Sequence, residues 1–279
     1  MKVIIESGAT KSVWALIEGG NLLRTHSAVG MNLSAGEMTH IKNTITSSIK
    51  ELSITQLEGM YIYTAGVISE SIQNELEGHI RALIAVQKIE IHDDLFGAAR
   101  ALFHHGEGIA AILGTGSNTC FYDGKKIERR VYSGGYIIGD DGSAAALGRI
   151  FLSDFIKGET SHILASEFCS QFDSSYKAIV EEVYHSPSPS KYLGSIAPLI
   201  VKHYYDDAYA QSIIDENFIR FIRRSLLKYP TSKYEVGIVG GFGSACKDIF
   251  LKLALKEGIV VHNFCKEPIE GLISYHCHD

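Results

Sequence analysis

Lys2-Val3-Ile4-Ile5-Glu6-Ser7-Gly8-Ala9-Thr10-Lys11-Ser12-Val13-Trp14-Ala15-Leu16-Ile17 sets two apolar runs, Lys2 to Ile5 and Ser12 to Ile17, on either side of a polar turn bearing a glycine. A third run, Leu22 to Ala28, follows Gly19-Gly20, so the opening predicts a three-stranded meander. The pattern then predicts a helix over roughly Gly36 to Leu52 and a strand over Gly59 to Tyr63. A helix over Ser69 to Ala85, a strand over Lys88 to His92 and a helix over Asp94 to Phe103 follow.

The plan restarts downstream. Gly108 to Leu113 and Thr119 to Tyr122 flank Gly114-Thr115-Gly116-Ser117-Asn118, and Asp123-Gly124 turns into a third strand, Lys126 to Tyr132. Helical stretches run from about Ser143 to about Tyr229, broken by a loop at Ser186-Pro187-Ser188-Pro189-Ser190. A strand over Tyr234 to Val239 enters Gly240-Gly241-Phe242-Gly243, then a helix over Ser244 to Glu257, a strand near Ile259 to His262 and a last helix from Glu267. Strand, glycine turn, strand thus occurs twice, with Gly8 and Gly116 in equivalent places. That repeat implies an α/β fold of two domains of one plan facing each other across a cleft. The boundary falls near residue 104, giving domains of 1–104 and 105–279, with the last helix a candidate to pack back on the first.

Bulk properties narrow the function. The 279 residues are 46% hydrophobic, enough to bury full cores. A net charge of −6 without a basic run argues against nucleic acid, whose binders neutralise phosphate. No apolar window of about 18 residues is present, so no membrane span is expected. The N-terminus has no apolar leader pattern. Cys120, Cys169, Cys246, Cys265 and Cys277 form no CxxC pair and read as reduced thiols, which points to the cytoplasm.

The glycine turns carry the chemistry. A P-loop needs Gly-Lys-Ser/Thr, but Lys11 follows Thr10. The dinucleotide fingerprint needs a third glycine and a following helix, but Gly114-Thr115-Gly116 enters a strand. The remaining option is a pair of hairpin tips whose backbone N–H groups and hydroxyls cup phosphate oxygens from two sides.

On these residues the chain resembles a known family. Glu6 to Ser12 is similar to the first phosphate motif of the sugar kinase, heat-shock ATPase and actin superfamily, and Leu113 to Asn118 to the second. Val239-Gly240-Gly241-Phe242-Gly243-Ser244 resembles its adenosine motif. Gly135-Tyr136-Ile137-Ile138-Gly139-Asp140-Asp141-Gly142-Ser143 resembles the Gly-Asp-Glu-Gly-Ser block of the N-acetylglucosamine kinases and the BadF/BadG/BcrA/BcrD-type ATPases. The resemblance implies two ribonuclease H-like domains of the actin/hexokinase type and ATP-dependent phosphorylation of an amino sugar, most simply N-acetylglucosamine at its 6-hydroxyl, with ATP and Mg²⁺ as cofactors. It implies Asp94 as catalytic base, with Asp93 as the competitor, and Glu6 at the Mg²⁺. Gly8, Thr10, Lys11, Gly114, Thr115, Gly116, Gly240, Gly241 and Ser244 match the nucleotide-binding positions. Asn32, Asn118, Gly135, Tyr136 and Asp140 match the sugar-binding ones. A small-molecule sugar is the expected partner, with a homodimer as the candidate assembly and neither nucleic acid nor membrane.

Three departures from the family pattern stand out. The first phosphate motif usually opens with Asp, and here it has Glu6, one methylene longer at the metal position. Asp141 replaces the Glu of the Gly-Asp-Glu-Gly block. The loop from Tyr136 to Asp140 is shorter than in the best-known N-acetylglucosamine kinases. Two other functions therefore stand beside the kinase: a sugar sensor without catalysis, and a BadF-type activator of another enzyme. The activator needs closely placed cysteines to share an iron–sulfur cluster, an arrangement the five scattered cysteines lack.

Overall fold

The computed structural model describes residues 1–8, 11–33, 38–66 and 69–277. The chain divides into two compact units. The first holds β1 (Lys2–Ser7), β2 (Lys11–Glu18), β3 (Asn21–Val29), α1 (Met38–Glu51), β4 (Gln56–Thr64), α2 (Glu70–Leu83), β5 (Ala85–Asp93) and α3 (Asp94–Phe103). Its five-stranded sheet runs β3-β2-β1-β4-β5. The first three strands pair antiparallel, whereas β1, β4 and β5 run parallel. Val3, Ile4 and Ile5 form an unbroken apolar run because both sheet faces are covered. Val3 and Ile5 turn towards Ile41 and Ile45 of α1 and Leu76 and Ile80 of α2. Ile4 turns to the opposite face. Trp14 is fully buried, with its Nε1 donating to Ser12 Oγ at 3.2 Å.

The second unit repeats the sheet with a larger helical insertion. It holds β6 (Gly108–Leu113), β7 (Ser117–Tyr122), β8 (Ile127–Val131), α4 (Gly135–Ile138), α5 (Ala144–Lys157), α6 (His162–Gln171), α7 (Tyr176–Tyr184), α8 (Pro189–Lys202) and α9 (Ala208–Arg224). β9 (Val236–Val239), α10 (Gly241–Ala245), α11 (Lys247–Lys256) and β10 (Val261–Cys265) complete it. The order β10-β9-β6-β7-β8 mirrors the first sheet, with β6 in the place of β1. Ser143, Ser161, Ser175 and Asp207 each cap a helix here by accepting from the amide three residues on.

The last helix, α12 (Ile269–Cys277), belongs to the first unit. Ile269 and Leu272 join Ile4, Val13, Ile17 and Tyr63 on the sheet face opposite α1 and α2. Lys2 Nζ donates to the His276 carbonyl at 3.1 Å, tying together residues 274 apart. His276 is buried, with its Nε2 2.8 Å from the Tyr63 hydroxyl. Burial holds its imidazole down to about 3, so it is neutral.

Several boundaries differ from the sequence reading, each for a local reason. The helix expected over Ser244 to Glu257 is two helices, breaking at Cys246. Pro189 opens α8, where its missing N–H and fixed φ suit the first turn, so the loop ends one residue before it. The short α4 follows Gly134 and opens on Gly135, both at positive φ, and is too brief for a helical period to register. No helix among the described residues is long and apolar enough to cross a membrane.

Candidate functional site

In parallel α/β sheets ligands gather at the carboxyl ends of the strands. In the first unit those ends are Ser7, Thr64 and Asp93, which stand level, since Ser7 pairs with Thr64 and Thr64 with Asp93. The backbone there is fixed by two buried hydroxyls. Ser7 Oγ accepts from Met31 N at 2.7 Å, and Thr64 Oγ1 donates to the Met31 carbonyl at 2.6 Å. Asn32 forms an isolated parallel bridge with Ala65, and Leu33 N donates to the Ala65 carbonyl at 3.0 Å. Asn32 is thereby pinned beside the ends of β1 and β4. Ser7 and Thr64 went unremarked in sequence, where a lone Ser or Thr at a strand end carries no distinguishing pattern.

The two aspartates at the β5–α3 junction divide their work. Asp93 is the N-cap of α3, its Oδ1 accepting from Phe96 N at 2.8 Å. Asp94 is the first residue inside the helix. Its charge is felt by Glu6. Burial first, then Asp94, then Glu267, push the Glu6 carboxyl up to about 7, against a smaller opposing pull from Lys11. Lys11 Nζ lies 3.6 Å from Glu267 Oε1 at the start of the C-terminal segment. In sequence Glu267 marks only a helix start, because nothing in its neighbourhood says which sheet it will meet. Gly8 N donates to the Lys11 carbonyl at 3.0 Å across the hairpin tip, and Thr10 lies outside the described residues.

In the second unit the β6–β7 tip is closed by Gly114 N donating to the Gly116 carbonyl at 2.9 Å. It is braced from behind. Ala144 N and Ala145 N, at the start of α5, donate to the carbonyls of Gly114 and Thr115 at 3.0 and 3.1 Å. Asn118 Oδ1 accepts from Thr119 N at 3.0 Å. Asp140 stands over the same turn: a Cβ on Gly116 would lie 3.0 Å from its Oδ2. Asp140 is buried at a positive φ of 54°, and burial raises its carboxyl above the usual range despite bonds from Ser133 and Ser117. Gly135 and Tyr136 open α4 on the segment leading to it, and Arg149 holds that segment through the carbonyls of Ile137 and Gly139.

Asp141 has a different task. Its carboxylate pairs with Arg224 at 2.6 Å and Arg220 at 3.4 Å, and its carbonyl accepts from Ser117 Oγ at 2.8 Å. The shorter acid at this position is thus an anchor between the turn and α9. At the end of β9, Gly240 has φ of 131°, and any Cβ would overlap the Leu113 carbonyl, so only glycine fits. Its N–H donates to the Cys265 carbonyl at 2.9 Å, and its own carbonyl accepts from Ser244 N at 2.9 Å. Gly241 faces open space, with no heavy atom within 4 Å of a Cβ position. Gly114 and Gly240 therefore converge at the carboxyl ends of β6 and β9, while Glu6, Asn32 and Asp94 converge at those of β1, β4 and β5.

No protein-family model matches the chain, and no curated protein matches it. Solved structures do. A protein of Porphyromonas gingivalis, described as a proposed N-acetylglucosamine kinase, shares 31% identity over 100% of this chain and 99% of its own, with a TM-score of 0.92. A second proposed N-acetylglucosamine kinase, from Chromobacterium violaceum, shares 18% identity over 98% of both chains, with a TM-score of 0.78. A ROK family glucokinase of Streptomyces griseus, in complex with glucose and AMPPNP, shares 15% identity over 98% of this chain and 97% of its own, with a TM-score of 0.56. The last two show the fold alone. With the full-length likeness at 31% identity and the two mirrored five-stranded sheets, the chain belongs to the N-acetylglucosamine kinase and BadF/BadG/BcrA/BcrD-type ATPase family of the actin–hexokinase–heat-shock ATPase superfamily.

Proposed function

We propose that this protein is an ATP-dependent sugar kinase that phosphorylates an amino sugar, with N-acetylglucosamine the preferred acceptor and its 6-phosphate the product. The observation that carries the reading is the division at the β5–α3 junction, where Asp93 is committed to capping and Asp94 lies in the field of Glu6. Asp94 would accept the proton of the attacking sugar hydroxyl, the one acid–base step that phosphoryl transfer asks of a protein. Asn32, Asn118 and Asp140 offer the mixed donors and acceptors that a polyol needs. Gly8 in the first unit, and the Gly114–Gly116 turn with Gly240 and Gly241 in the second, would offer backbone groups to nucleotide phosphates.

The donor set suits a hard cation, since Glu6 and Asp94 supply only oxygens and repel one another without one. Among the described residues no three acidic, histidine or cysteine side chains are grouped to hold a metal alone, so phosphate oxygens and water would complete the shell. Mg²⁺ bound there would neutralise charge on the transferring phosphate. The neighbours fit this reading: two are proposed N-acetylglucosamine kinases, and a third holds glucose with an ATP analogue.

The test is a phosphorylation screen with Mg²⁺-ATP over N-acetylglucosamine, glucosamine, N-acetylmannosamine, N-acetylmuramic acid and glucose. Transfer to N-acetylglucosamine at the highest kcat/KM is expected. Sugar binding by calorimetry without transfer to any acceptor would favour a sensor and sink the kinase.

A further inference from the structure

A buried asparagine stands behind the site in the second unit. Asn217 lies well inside α9 and is 1% exposed, on a helix whose buried side is otherwise apolar: Ile213, Ile214, Phe218, Phe221 and Ile222. Asn is a poor residue for a helix interior, and burying its amide costs free energy unless both ends are bonded. Here both are. Its Oδ1 accepts from Gly142 N at 2.8 Å, and its Nδ2 donates to the Ser143 carbonyl at 3.1 Å. Those partners fix the orientation of the amide, because an N–H requires its oxygen and a carbonyl requires its nitrogen. Arg220, Phe221 and Arg224 follow three, four and seven residues on, along the same face of α9. The two arginines hold Asp141, and Phe221 stands against Gly142, where a Cβ would lie 2.6 Å from that of Phe221. One face of α9 thus grips Asp141, Gly142 and Ser143 in succession, and Asn217 supplies buried hydrogen bonds to the last two.

The gripped segment joins two parts of the candidate site. On one side is Asp140, whose carbonyl accepts from Ser143 N at 3.0 Å. Asp140 holds a φ of 54° and Gly142 one of 83°. A non-glycine residue in the left-handed region is uncommon and persists where its surroundings over-determine it. On the other side, Ser143 Oγ accepts from Ala146 N at 3.0 Å and starts α5, whose first amides donate to the carbonyls of Gly114 and Thr115. A displacement of Gly142 and Ser143 therefore reaches Asp140 in one direction and the β6–β7 turn in the other.

We infer that Asn217 is a positioning residue of the active site, holding Asp140 and the Gly114–Gly116 turn in register with each other, an inference that rests on the kinase reading above. It acts through the backbone of Gly142 and Ser143 and touches neither sugar nor nucleotide. Without its two bonds Asp140 is released to relax out of the left-handed region and draw its carboxyl away from Gly116, and the start of α5 is released to slide under the turn. A misplacement on the order of an ångström costs roughly 10²-fold in rate.

Three variants test this. Asn217→Leu, of similar volume, removes both bonds. Asn217→Asp keeps the acceptor for Gly142 N and loses the donor to Ser143. Leu164→Ala, a core truncation on α6, is the destabilised comparison. Turnover of the preferred sugar and ATP affinity by calorimetry are measured well below each melting temperature. Asn217→Leu should lower kcat roughly 10–100-fold and weaken ATP binding at least about fivefold, and Asn217→Asp should move both in the same direction by less. Leu164→Ala should lower the melting temperature while leaving both quantities within about twofold of the wild type. Asn217→Leu with kcat and ATP affinity within that same range, whatever its melting temperature, would overturn the proposal. Should Asn217→Leu fail to fold, Asn217→Asp decides by the same criterion. A wild-type chain that transfers phosphate to no sugar would sink the kinase reading, and the ATP-affinity arm would then decide on Asn217 alone.

Discussion

Replacing each aspartate of the β5–α3 junction separately should split stability from catalysis. Asp93→Ala removes the 2.8 Å cap bond to Phe96 N, and loss of an N-cap costs about 1 kcal/mol. For a unit of roughly a hundred residues that lowers the melting temperature by about 4 °C. Turnover should fall by less than about threefold, since the carboxyl that caps the helix is not the one proposed to take the proton. Asp94→Asn works the other way. It loses about 0.5 kcal/mol of favourable charge at the helix start, but it also removes a like charge beside Glu6, so the two terms nearly offset. The melting temperature should move by no more than about 2 °C, while turnover with N-acetylglucosamine falls roughly 10²–10⁴-fold. Differential scanning fluorimetry and a coupled ADP-release assay read the two quantities. Near-normal turnover in Asp94→Asn, or a turnover collapse in Asp93→Ala at unchanged melting temperature, would refute the division.

Other outcomes follow from the same geometry. In metal-free buffer the Glu6 carboxyl, pushed up from 4.5 to about 7, gives stability that is full below about pH 4.5 and is lost as pH rises through 7, up to about 3 kcal/mol by thermal melts. Glu267→Gln removes one of the like charges and should bring that decline to lower pH; an unmoved profile would mean Glu267 is not felt there. Gly116→Val sets a branched side chain against Asp140 Oδ2 and should weaken ATP binding at least about tenfold by calorimetry; unchanged affinity would make the turn merely structural. Asp141→Ala releases Arg220 and Arg224, which are half exposed, and should cost only about 1 kcal/mol while leaving ATP affinity within about threefold.

What the sequence made legible was whatever depends on short-range chemistry. The doubled strand–turn–strand pattern, Asp94 as the first residue of α3, and the β6 strand from Gly108 to Leu113 all follow from local periodicity and turn residues. The polar ends of strands were harder. β3 and β5 run further than their apolar residues suggest, because backbone pairing continues past the side chains that face a core. Which of Asp93 and Asp94 caps α3 is seen only in the cap bond, since either residue suits a helix start. Glu267 beside Glu6, Asp140 over Gly116, and Ser7 and Thr64 under Met31 are meetings of distant segments that no local pattern announces.

The place of α12 governs how this protein can be made. During synthesis β1 leaves the ribosome early, but the helix that covers one face of its sheet follows only after the whole of the second unit. Until then Ile4, Val13, Ile17 and Tyr63 line an apolar surface that α3 covers only in part, one that invites chaperones or misassociation. The second unit is continuous except for the short Gly124–Lys126 excursion and can mature first, so the order of folding inverts the order of translation. Closing a loop of this length makes the last step slow, and a tag or truncation at the C-terminal end of the chain should be felt in the N-terminal sheet.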